Sequence, residues 1–208
     1  MVACLAGGVP KVHVFDTLQC ALIIRRVRPK TAYSPLRAHG VKRIGYQPLY
    51  TDKLLFPIHV RGNHWVLVTV EIPHHRVTLF DSLEEHAHDD DAYTPTALMG
   101  NVLSFVLAAA KHPGLGHADQ RAEYLGLLPP AEEWTTQTAR VPQQPNSNDC
   151  GVYTIAFLLC QASCDVVDRF TFVPDDIPRL RLALAHWLLK GRTRLRPDHL
   201  CSSSSWWL

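Results

Sequence analysis

The chain has 208 residues, 47% of them apolar and 19% charged, enough to bury one sizeable core, and one domain is the simplest count. A net charge of +2 supplies no global field of the kind that nucleic acid or a membrane surface demands. No stretch is long and apolar enough for a transmembrane helix, and Met1 to Pro10 lacks the basic flank and hydrophobic run of a signal peptide. The six cysteines form no dense framework and are expected to stay reduced, which suits a thiol enzyme of the cytosol or nucleus.

In chain order, Lys11 to Leu18 reads as a helix end or short connector, and Ala21 to Arg26 turns from apolar to basic. The basic residues from Arg25 to Lys30, with Arg37, Lys42 and Arg43, read first as a solvated face and second as a docking surface for an acidic partner. Ala32 to Tyr50 carries Gly and Pro punctuation and little periodicity. Leu54 to Val60, Val66 to Ile72 and Val77 to Phe80 predict strands, and residues 66–70 are β-branched or apolar throughout. The last two are close enough to form an antiparallel hairpin, which sets His64, before the first, beside Asp81, after the second.

The run of His86, His88 and Asp89 to Asp91 predicts an exposed loop. Although the chain has 12 histidines, no Cys or His pairs recur at zinc spacing, so no metal is expected. Thr96 to His112 predicts a helix capped by Thr94 or Thr96, with Leu98, Val102, Phe105, Val106 and Ala109 on one face and Pro113-Gly114 as its stop. Gly114 to Gln144 is loop-rich and admits a short strand before Val141.

Val141-Pro142-Gln143-Gln144-Pro145-Asn146-Ser147-Asn148-Asp149-Cys150-Gly151 is polar, helix-breaking loop that runs into one thiol. Cys150 to Cys164 follows as an apolar helix, with Cys160 and Cys164 spaced for core packing. A helix N-terminus offers free N–H groups and about half a positive charge, which stabilise a thiolate. Cys150 is therefore a candidate nucleophile, with His64 as base and Asp81 as the carboxylate that orients it. Pro174-Asp175-Asp176 opens a last helix over residues 177–190, with Leu180, Leu184, Trp187 and Leu188 inward and Gly191 as its stop. The tails, 1–10 and 196–208, are expected to be irregular.

These residues resemble the SUMO-specific (sentrin-specific, Ulp-type) cysteine proteases. The matching pieces are Val12 to Thr17, Leu55 to His59, His64-Trp65, Phe80-Asp81-Ser82, Val141 to Gln144 and Asn148 to Tyr153, in family order and spacing, within a domain spanning 11–195. The resemblance implies an α+β, papain-like fold: a short central sheet flanked by helices, with the nucleophile at a helix N-terminus. It implies catalytic roles for His64, Asp81 and Cys150, an oxyanion donor in the Gln144 amide, and in Trp65 a wall of the tunnel for a modifier's Gly-Gly tail. The implied partner is SUMO or another ubiquitin-like modifier and its conjugates, with no cofactor, no metal, no nucleic acid and no membrane. A monomer acting in the nucleus or cytoplasm is expected.

Family domains begin earlier, with a Trp-Leu-Asn-Asp segment that supplies a second tryptophan. Only ten residues precede Lys11, so that N-terminal part is expected to be missing and the tunnel to have one wall. Asn146-Ser147-Asn148 stands where the family has Asn-Gly-Ser, and Pro145 stiffens the loop holding Gln144. The alternatives are a protease for a Nedd-type modifier and a truncated, non-catalytic modifier-binding module.

Overall fold

A computed structural model describes residues 11–24, 51–60, 62–83, 93–110, 128–163, 170 and 172–190. The expected His/Asp loop at 86–91, the stop at Pro113-Gly114, the basic residues 25–43, Cys164 and both tails lie outside these residues. Among these residues the strands and α-helices follow in order: β1 (Val12–Val14), α1 (Thr17–Ile24), β2 (Lys53–Val60), β3 (His64–Glu71), β4 (Arg76–Phe80), α2 (Pro95–Ala110), β5 (Thr135–Thr138), α3 (Cys150–Ser163) and α4 (Ile177–Leu189).

The strands form one mixed sheet in the order β1-β2-β3-β4-β5. The three inner strands pair antiparallel, while β1 and β5 pair parallel on the outside. The segment read as a helix end or connector is thus a strand, Val12–Val14, followed by a helix from Thr17. Its three residues are too few to show a period, and their partners, Lys53 to Leu55, are far away in sequence.

β2 tolerates a proline in its middle for a geometric reason. The Leu55 carbonyl accepts the Phe15 N–H at 2.9 Å, so residue 57, two further on, turns its backbone to the same side. β1 has ended by then, and the N–H that Pro57 lacks has no strand waiting for it. At the β2–β3 turn, Gly62 takes a positive φ of 77°, which a side chain would resist.

Both faces of the sheet are covered, which is why its strands read as nearly continuous apolar runs. Leu54, Phe56, Ile58, Val66, Val68, Val70, Val77 and Leu79 pack with α1 and α2. Leu55, Leu67 and Phe80 point the other way, against Tyr153 and Phe157 of α3 and Ile177 of α4. The alternation along each strand is the period of two that a pleated sheet imposes. Thr94 caps α2, its hydroxyl accepting the Ala97 N–H at 3.2 Å.

On α4, Leu180, Leu184 and Trp187 are half-buried, but Leu188 is 71% exposed, contrary to its expected inward position. The helix is anchored at its first turn, where Ile177 is buried, and packing fades toward its C-terminal end. A helix can keep its apolar stripe past the surface it packs on, so periodicity alone overstates burial in the last turn. Among the described residues, no helix is long and apolar enough to cross a membrane. The arrangement is α+β and papain-like, with Cys150 opening the helix that covers one face of the sheet.

Candidate functional site

Three segments converge at one end of β3. The β2–β3 turn delivers Asn63 and His64, the end of β4 delivers Asp81 and Ser82, and the loop before α3 delivers Gln143 to Cys150. His64 Nε2 lies 2.8 Å from Asp81 Oδ1. A carboxylate only accepts, so Nε2 carries the proton and Nδ1 of a neutral ring keeps its lone pair. That Nδ1 is buried and has no hydrogen-bond partner among the described residues.

Asp81 is itself held from two directions. Its Oδ1 also accepts the Leu83 N–H at 2.9 Å, and its backbone carbonyl accepts from Gln143 Nε2 at 3.2 Å. Gln143 is fixed in turn, since its carbonyl accepts the Tyr153 hydroxyl at 3.3 Å. The carboxylate is thereby oriented by its neighbour two residues on, by the loop and by α3.

Cys150 is a buried free thiol at the first position of α3. Its Sγ lies 3.9 Å from the carbonyl of Asn63, the residue before His64, which places sulfur beside the backbone that carries the imidazole. The loop before it is ordered by Asn146. The Asn146 Oδ1 accepts the N–H groups of Asn148 and Asp149 at 2.9 and 3.1 Å, and its Nδ2 donates to Asp149 Oδ2 at 2.7 Å. Arg181 of α4 reaches the other oxygen of Asp149. The Asn146 hydrogen bond first, and Arg181 after it, hold the Asp149 carboxyl below its ordinary range.

Gln144 is buried, with its backbone N–H on the Ser82 carbonyl at 3.0 Å and its Oε1 accepting the Ser82 hydroxyl at 2.7 Å. Its Nε2 donates to the Asn146 carbonyl. Trp65 is half-buried and stacks on His59 of the neighbouring strand, centroids 4.5 Å apart and planes 29° apart. A Cβ built on Gly151 would stand 3.6 Å from Trp65 Cδ1, so the indole edge lies over the first turn of α3. All five residues singled out from the sequence therefore gather around the start of α3.

Four participants were not singled out from the sequence: Ser82, Gln143, Asn146 and Arg181. Ser82 and Gln143 enter only as neighbours within the matching motifs, Asn146 only as a departure from the family loop, and Arg181 sits thirty-two positions from its partner. Among the described residues, no group of three or more His, Cys, Asp or Glu is placed to hold a metal ion.

Comparison with known proteins gives a consistent result. The family model described as the Ulp1 protease family, C-terminal catalytic domain, matches residues 9–188. Sentrin-specific protease 5 of Homo sapiens is 29% identical over 129 residues, 62% of this chain and 14% of that protein, and the Mus musculus protein matches with the same identity and coverage. The chain thus matches only a small part of the length of these relatives. Among solved structures, the C-terminal Ulp1 protease domain in complex with Smt3, the yeast orthologue of SUMO, superposes with a TM-score of 0.65 at 22% identity, covering 88% of this chain and 69% of that one. The Chaetomium thermophilum Ulp1-like SUMO protease catalytic domain gives 0.57 at 21% identity, covering 90% and 64%. At these identities the structural likeness speaks to the fold.

Proposed function

The chain belongs to the Ulp1 protease family, and from that premise we propose that it is a cysteine peptidase that cleaves after the C-terminal Gly-Gly of SUMO, from precursors, from conjugates or from both. The observation that carries the reading is the buried Nδ1, without a hydrogen-bond partner among the described residues, of a histidine whose Nε2 is bonded to a carboxylate, in the same cluster as a thiol at a helix N-terminus. An imidazole so held has one basic nitrogen and one orientation.

In this reading His64 Nδ1 takes the Cys150 proton, and the thiolate, favoured by the free N–H groups of the first turn of α3, attacks the carbonyl carbon of the terminal glycine. The oxyanion that forms accepts from Gln144 Nε2 and from the Cys150 backbone N–H. Imidazolium His64 gives its proton to the leaving amine as the C–N bond breaks. Water, deprotonated by His64, then attacks the thioester, releasing the modifier's carboxylate and restoring the thiol.

Trp65 supplies a flat wall over Gly151, where a tail with no side chains can lie close. SUMO enters the proposal from the yeast relative solved with Smt3, and the span 11–195 is taken as the domain that binds it. A nuclear or cytoplasmic place of action goes with this reading, and cell fractionation checks it.

The test is covalent capture by SUMO, a Nedd-type modifier and ubiquitin, each carrying a C-terminal thiol-reactive warhead. A gel shift with SUMO that is lost in Cys150→Ala is the expected result. A shift with the Nedd-type modifier alone would reassign the substrate. No shift with any of the three, in folded protein, would overturn the catalytic reading in favour of a binding module.

A further inference from the structure

The Gln144 amide is gripped at both ends. Ser82 Oγ donates to its Oε1 at 2.7 Å, and its Nε2 donates to the Asn146 carbonyl. A flip of the amide costs the Asn146 bond, because Oε1 would then face a carbonyl oxygen with no hydrogen between them, while the Ser82 hydroxyl, able to accept as well as donate, would take a hydrogen from Nε2. Nε2 carries two hydrogens; the Asn146 bond uses one and leaves the other for a ligand. Ser82 is 1% exposed and Gln144 8%, so water does not compete strongly for these bonds.

We infer that Ser82 is a positioning residue for the reaction: the Asn146 carbonyl selects which end of the Gln144 amide is the nitrogen, and the Ser82 hydroxyl braces the oxygen end so that Nε2 stays aimed at the oxyanion. This rests on the oxyanion role of Gln144 proposed above. A hydroxyl that donates to the amide oxygen also draws electron density from the amide nitrogen, which makes the remaining N–H a better donor. Without Ser82 Oγ, Oε1 loses its buried donor among the described residues, and the Asn146 carbonyl alone holds the amide against turning its oxygen toward the developing negative charge. The backbone bond from Gln144 N–H to the Ser82 carbonyl, 3.0 Å, does not involve the Ser82 side chain, so the loop keeps that anchor in Ser82→Ala.

The experiment is a double-mutant cycle on the 208-residue chain with a fluorogenic SUMO C-terminal substrate, run beside iodoacetamide alkylation of Cys150. Alkylation forms no oxyanion, so it reads the thiol and its base alone. Gln144→Ala is expected to lower kcat about 10²-fold or more. Ser82→Ala is expected to lower kcat about tenfold with KM little changed, and to lower it no more than about twofold once Gln144 is already alanine. Alkylation by Ser82→Ala should stay within about twofold of the parent.

An unchanged kcat in Ser82→Ala, beside a slow Gln144→Ala, would overturn the role of Ser82 alone. An unchanged kcat in Gln144→Ala would overturn the oxyanion assignment itself. An equal loss from Ser82→Ala in both backgrounds, or a matching loss of alkylation, would reduce Ser82 to a structural residue and overturn the proposal. Should Ser82→Ala not fold, Ser82→Cys carries the test: similar in size but a weak donor, it is expected to lose kcat to an intermediate degree, and full activity would overturn the proposal.

Discussion

Asp81 holds the imidazole through one oxygen while that same oxygen takes the Leu83 N–H and the residue's carbonyl takes Gln143. Asp81→Ala removes the orienting carboxylate and leaves the thiol and Gln144 in place. The expected loss is about 10²- to 10⁴-fold in kcat with measurable residual turnover, and an unchanged pH–rate profile and rate would remove Asp81 from the site. Tyr153 makes a second prediction. Burial first, then the charges of Asp149 and Asp175, push its phenol up to about 12. The folded state therefore keeps a proton that the unfolded chain gives up near pH 10. This contribution to stability is complete below about pH 10 and is lost as pH rises through the folded value of about 12. Thermal melts of Tyr153→Phe should accordingly fall less steeply across that window than those of the parent. The positions of His64 and Asp81 could be read from strand ends, because a hairpin brings such ends together. Ser82 and Gln143 could not, because they act across a pairing of two loops, sixty-two residues apart in sequence for Ser82 and Gln144.

At the scale of elements, α4 is joined to the site through one exposed arginine. Arg181 is 55% exposed at the side chain and Asp149 16%, so their ion pair contributes at most about 1 kcal/mol to folding. Its larger effect falls on the loop that ends at Cys150, where small misplacements are costly. Arg181→Met should change the melting temperature little while lowering kcat/KM by up to about tenfold, and high salt should move the parent toward the variant. A variant with full kcat/KM would mean that Asn146 orders the loop alone. The depressed Asp149 carboxyl adds a signed expectation: its stabilisation is present above the ordinary carboxylate range and is lost as pH falls through the lower folded value. Asp149→Asn should thus show a shallower loss of stability in acid. The helices α2, α3 and α4 could be read from caps and apolar spacing, as Thr94 shows for α2, whereas α1, Thr17–Ile24, does not read as a helix from the sequence. The outer strands are less legible: β1 reads as a helix end or connector, and β5, Thr135–Thr138, is expected only as a short strand before Val141, since it is exposed at every position and its pairing with β4 crosses nearly sixty residues of chain.

Across the whole molecule, a line of charge, buried at Lys53 and Glu71 and half-buried at Arg76, joins three strands and reaches the helix. Lys53, Glu71 and Arg76 stand directly opposite one another on β2, β3 and β4, so the register that buries the apolar faces also aligns positive, negative and positive side chains. Lys53 Nζ lies 3.7 Å from Glu71 Oε1, and Arg76 Nε lies 2.5 Å from Glu71 Oε2. A slip of one residue would turn every side chain to the wrong face and break both pairs. Lys53 Nζ also donates to Gln161 Oε1 at 3.3 Å, near the C-terminal end of α3. At the other end of α3, Cys150 meets the backbone beside His64, where β3 begins. The helix meets the sheet in polar contacts at both ends, and the distal one is expected to set how far along β3 the thiol sits. Removing that contact should therefore be felt in stability and in the site. Lys53→Met leaves Glu71, 3% exposed at its side chain, still paired with Arg76, so the expected cost in urea unfolding is below the roughly 3 kcal/mol of an unpaired buried charge. At denaturant-free conditions the folded fraction of Lys53→Met should show a lower rate of Cys150 alkylation than the parent, because α3 has lost the contact that fixes its position along the strand. An unchanged alkylation rate would mean that the apolar face of α3, Tyr153 and Phe157 against Leu55, Leu67 and Phe80, sets that position without the buried lysine.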